Sequence, residues 1–134
     1  MAETLFVCSG AHSFSSIVIS FNTAIQFKGA GQDVAVFLDG DALVALVDKK
    51  LELAPVSVPY AATLMENLKK AGFPEDPMDL LKGAKAAGIP IYTCANTVAL
   101  LGIAAKLPPE IQPLESPGEV VKLFAEAKKV IGGF

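Results

Sequence analysis

Residues 87–103 read AGIPIYTCANTVALLGI. Gly88 and Pro90 punctuate its start, and Ile89 to Thr93 then form a short apolar run rich in β-branched and aromatic residues. Such a run predicts a buried strand. The apolar residues that follow, up to Gly102-Ile103, predict a short helix entered without a linker. Cys94 stands at the joint, and its role is the question this stretch raises.

The same strand-then-helix reading recurs on either side. Thr4 to Cys8, TLFVC, is a short apolar run ended by Ser9-Gly10. From Ser13 a helical pattern runs through Phe14, Ile17, Phe21, Ala24 and Ile25, and Gly29 and Gly31 stop it. Asp33 to Asp39, DVAVFLD, is almost continuously apolar, as suits a parallel strand covered on both faces. Asp39-Gly40-Asp41 makes a turn, and Asp41 is placed to cap the apolar helix ALVALV. A helix is predicted after Pro59, with Leu64, Met65 and Leu68 inward and Lys69-Lys70 in its last turn. Asp76-Pro77 opens another as N-cap and N1, closed by Gly88.

Ile111 to Leu114 is a weaker strand signal between prolines. Ser116-Pro117-Gly118-Glu119 spells a capping box with proline at N1. It launches a final helix through Val120, Phe124, Ala127 and Ile131, and VIGGF offers a short edge strand.

Strands alternating with helices predict a three-layer α/β/α domain with a mostly parallel sheet of about five strands, residues 1–134 forming one domain. Right-handed crossovers bring the loops after the strands to one edge, where open α/β sheets bind ligands. Those loops are Ser9 to Ser13, Asp39 to Asp41 and Cys94 to Thr97.

Composition narrows the function. The chain has 134 residues, 52% of them hydrophobic, with a mean hydropathy of +0.49. That surplus suggests a subunit interface, because the long uncharged stretches change period midway and are broken by Gly, Pro, Ser and Asn, unlike a spanning helix. No basic n-region precedes an apolar core, so no export signal is expected. Two cysteines without framework spacing point to a reducing, cytoplasmic setting. The net charge of −3 argues against nucleic acid.

CSGAHSFSS is neither a dinucleotide fingerprint nor a P-loop, though its serines could still hold a phosphate as flavodoxin-like folds hold FMN. One histidine and two separated cysteines do not make a metal site. The chain has no arginine to grip phosphate in a cysteine-phosphatase loop, and no G-x-S-x-G elbow. No cofactor is expected.

Cys94, at a helix start, faces unpaired amides and the positive end of a dipole, a setting that favours a nucleophilic thiolate. It is equally readable as a small apolar filler. Cys8 ends the first strand and could resolve a disulfide, although strand-end cysteines are more often core. His12 could activate a thiol, or simply be solvated. A carboxylate of Asp39 or Asp41 near Cys94 would oppose thiolate formation. Asn96 lies in the same turn.

GQDVAVFLDGDALVAL, followed later by KAAGIPIYTCANTVALLGI, resembles the DsrE/DsrF/TusD-like family of small sulfur-relay proteins. The shared pattern is an apolar strand into an acidic-glycine turn, then a G-(I/V)-x-(I/V)-x-x-C strand and an apolar helix ending in Gly-Ile. The resemblance covers nearly the whole chain in order of elements. It implies a DsrE-like, flavodoxin-related topology, assembly as a homotrimer or homohexamer, and Cys94 as the sulfur-carrying cysteine. On that reading the chain is a sulfurtransferase-like carrier with protein donors and acceptors. A non-catalytic oligomeric protein binding a small ligand or anion at the sheet edge is the alternative.

Overall fold

The structure is a computed structural model that describes residues 3–9, 14–74 and 76–132. In chain order its elements are β1 (Thr4–Cys8), α1 (Phe14–Gly29), β2 (Val34–Leu38) and α2 (Gly40–Val47), then a 3-10 turn (Pro55–Tyr60), α3 (Ala61–Lys70) and α4 (Pro77–Ala86). β3 (Ile91–Cys94), α5 (Ala95–Leu101), a second 3-10 turn (Ala104–Lys106), β4 (Ile111–Leu114), α6 (Pro117–Glu126) and β5 (Lys129–Ile131) follow.

The five strands form one sheet in the order β4-β3-β2-β1-β5. Every neighbouring pair is parallel. The chain winds in one direction through four strands, then α6 carries it across the sheet to place β5 beside β1. The flavodoxin-type sheet also has five parallel strands, in the different order 2-1-3-4-5.

Right-handed crossovers put the helices of the first run on one face and the helix of the return crossover on the other. On the first face, Phe6, Cys8, Val36, Leu38, Ile91 and Ile111 pack with Phe21 of α1, Leu43 of α2, Leu81 of α4 and Val98 of α5. On the second, Leu5, Ala35, Phe37 and Leu114 meet Leu123 of α6, with Phe124 edge-on to Phe37 at 5.3 Å. β2, buried at every position, is sandwiched between the two layers as its continuous apolar sequence requires.

Three local expectations change. Asp39, not Asp41, occupies the N-cap position of α2. Gly40 takes φ +57°, so the chain turns one residue earlier. Met65 is 49% exposed, because α3 stands off from the core and buries none of its residues fully. The last helix stops at Glu126, which frees Ile131 to pair in β5 beside Phe6.

The capping box is complete: the Glu119 amide donates to Ser116 Oγ at 3.3 Å, and the Ser116 amide donates to the Glu119 carboxylate at 3.0 Å. Replacing Ser116 by alanine is expected to cost about 1 kcal/mol in a denaturant titration.

Candidate functional site

Side chains alternate across a strand, and β3 is no exception. Ile91 and Thr93 turn to the helix-rich face and are buried, while Tyr92 and Cys94 turn to the α6 face and stay partly exposed. That face owes its openness to its covering, since α6 is the single helix packed on it among the described residues. Cys94 is thus the last residue of β3 and also the N-cap of α5, with extended φ −85° and ψ 123°. Its thiol makes no capping hydrogen bond. The first amides of the helix, which lack intrahelical partners, open at the same point.

The register brings a carboxylate to this joint. Phe37 lies opposite Tyr92, so two residues further along the adjacent parallel strands Asp39 falls opposite Cys94. Neighbouring strands run about 4.8 Å apart. The Asp39 carboxylate does not cap its own helix but reaches into the first turn of α5, where Thr97 Oγ1 donates to Oδ2 at 3.2 Å. Its Oδ1 is shielded from solvent and has no hydrogen-bond partner among the described residues. The Thr93 hydroxyl, fully buried one residue before Cys94, is likewise unpartnered. Thr97 lies in the edge loop Cys94 to Thr97, but the sequence does not single it out as a site residue. Its position three residues after Cys94 was a legible helix-start signal, but its partner is 58 residues away.

The remaining candidates separate. Cys8 faces the opposite side of the sheet, with β2 between β1 and β3, so the two thiols do not meet. Burial pushes the Cys8 thiol up from its ordinary pKa, and a hydrogen bond with Ser20 only partly opposes that. Asp41 is exposed and lines a separate concavity of about 320 Å³ with Val44, Asp48, Lys50 and Glu52. Asn96 is exposed on the first turn of α5. His12 lies outside the described residues, as does Ser13. A roomier concavity, about 530 Å³, is lined by Lys49, Asp76, Lys82, Lys106 and Glu110 and does not include Cys94.

The element order and this strand-to-helix joint can be set beside solved structures. A crystal structure of the ychN protein from E. coli matches at a TM-score of 0.64, with 21% identity over 98% of this chain and 99% of that one. The fold is shared. A conserved protein of unknown function from Bacteroides thetaiotaomicron, BT1422, matches at a TM-score of 0.68 and 10% identity, over 97% of this chain and 94% of its own. No protein-family model matches the chain, and no curated protein matches it by sequence. Among the described residues, no helix is long and apolar enough to cross a membrane.

Proposed function

We propose that this protein is a cytoplasmic, sulfurtransferase-like sulfur carrier that holds sulfane sulfur on Cys94 and passes it to an acceptor protein's thiol. The observation that carries this reading is the position of Cys94: a partly exposed thiol, free of capping duty, at the carboxyl end of a central strand and the start of a helix. The resemblance of the flanking sequence to the DsrE/DsrF/TusD-like family supports it.

The chemistry needs little else. The Cys94 thiolate attacks the terminal sulfur of a persulfide R–S–SH. A new S–S bond forms to Cys94, the old one breaks, and R–S⁻ leaves with the electron pair while the proton stays on the transferred sulfur. An acceptor thiolate repeats the exchange and takes the sulfur away. No net oxidation occurs and no cofactor is required.

Homotrimeric or homohexameric assembly belongs to the same reading. Leu100 is 88% exposed and Val56 81%, with Val121 and Tyr60 also well exposed, and association would remove such apolar surface from water.

The test is intact-mass spectrometry after incubation with polysulfide under non-reducing conditions. Wild type is expected to gain sulfur mass that reductant removes, and Cys94→Ser to gain none. A folded wild type that takes up no sulfur would leave Cys94 as a packing residue.

A further inference from the structure

We propose that Asp39 is a specificity-determining residue for Cys94, its charge turning anionic reagents away from the sulfur. The inference rests on Cys94 being the reacting group.

The register sets Asp39 and Cys94 at adjacent strand ends. The hydrogen bond from Thr97 holds the carboxylate at the first turn of α5, so it is not free to swing into solvent. With Oδ1 shielded and without a partner among the described residues, none of them spreads the charge further.

Among the described residues no cation answers it. The described residues beyond the strand ends carry Asp41, Glu115 and Glu119 and no lysine, and Glu115 directly follows Leu114, the register partner of Cys94. Five lysines elsewhere pair with other carboxylates: Lys49 with Asp76, Lys70 with Glu66, Lys106 with Asp48, Lys122 with Glu126 and Lys128 with Glu3. An anion approaching Cys94 therefore meets a like charge on the neighbouring strand that no lysine among the described residues neutralises, offset only by the partial charges of the first α5 amides. Among sulfur donors, a neutral persulfide is favoured over the thiosulfate dianion.

Two alkylating agents of nearly equal size isolate this field. Iodoacetate carries a charge and iodoacetamide does not. With either, the thiolate sulfur forms a bond to the methylene carbon and iodide leaves with the electron pair. Native wild type, Asp39→Asn and Asp41→Asn are alkylated at low ionic strength, and the adduct at Cys94 is quantified by peptide mapping. Asparagine can still accept from Thr97, so the clamp persists while the charge goes.

The ratio of iodoacetate to iodoacetamide rates is expected to rise about threefold to a hundredfold in Asp39→Asn, the range that two unit charges about 6 Å apart imply between the dielectric of bulk water and an effective value near 20 at a protein surface. Asp41→Asn should move it less than half as far. In wild type the ratio should climb between about 10 and 500 mM salt, as screening shortens the reach of the charge.

An unchanged ratio in folded Asp39→Asn, with Cys94 still alkylated, would overturn the role of Asp39 and leave the carrier reading standing. Should that variant fail to fold, a wild-type ratio that ignores salt overturns the proposal alone. Failure of both reagents to modify Cys94 in native wild type would overturn this proposal and the carrier reading together.

Discussion

Gly40→Ala is expected to destabilise the protein by about 3 kcal/mol, a loss of roughly 10 °C in melting temperature for a chain of this size. Two costs combine at that position. The residue sits at φ +57°, where a side chain adds about 1 kcal/mol of strain. A Cβ there would also lie 2.6 Å from the carbonyl oxygen of Ser9, a backbone atom that cannot swing aside. Ser9 is tied in place, because the amide of Asp39 donates to Cys8 O at the end of the paired strands, and that of Ala42 donates to Ser9 O at 3.5 Å. Relief would have to come from moving the start of α2, and with it the Asp39 carboxylate.

Gly31→Ala provides the internal comparison. Gly31 has φ +88° and no atom within 4 Å of its would-be Cβ, so only the strain remains, about 1 kcal/mol. Thermal melts of both variants separate strain from collision. Equal losses would mean that the β1 and β2 ends are not packed as described.

The second large effect is kinetic. In the native protein, Cys94 is expected to react with iodoacetamide about a thousandfold faster than Cys8, measured by peptide mapping over time. Cys8 is fully buried in β1, which is paired on both sides by β2 and β5, so a reagent reaches it only when the sheet opens. An opening free energy of about 5 kcal/mol leaves roughly one molecule in five thousand open at any moment. Cys94 needs no such opening, because α6 leaves its side of β3 partly uncovered. Denaturation should bring the two rates together. Comparable native rates would place β1 at an accessible edge and return Cys8 to consideration as a partner of Cys94.

Most of the secondary structure was legible because its signals are local. The capping box at Ser116, the Asp76-Pro77 helix start and the apolar run of β2 each act within a few residues, and each stands where the sequence puts it. The errors share a cause as well. Met65 fits an inward helical stripe by spacing, but nothing in the segment says that α3 would stand away from the core. Asp41 fits a helix start, but Gly40 allows the turn to begin one residue sooner. Ile131 continues the spacing of α6, yet pairing with β1 claims it for a strand.

The sequence by itself determined that strands and helices alternate, that the sheet is mostly parallel with β2 buried on both faces, and that Cys94 stands where one strand becomes a helix. Periodicity, turn chemistry and caps carry that information, and all act within one or two turns of chain. Which strands are neighbours was decided only by the tertiary structure. The order β4-β3-β2-β1-β5 sets Asp39 against Cys94 and, among the described residues, leaves α6 as the single helix over the face where Cys94 lies. The same side-chain alternation that opens Cys94 to that face turns Cys8 into the opposite core. These are contacts between residues dozens of positions apart, fixed when whole faces are buried together, and no local pattern encodes them.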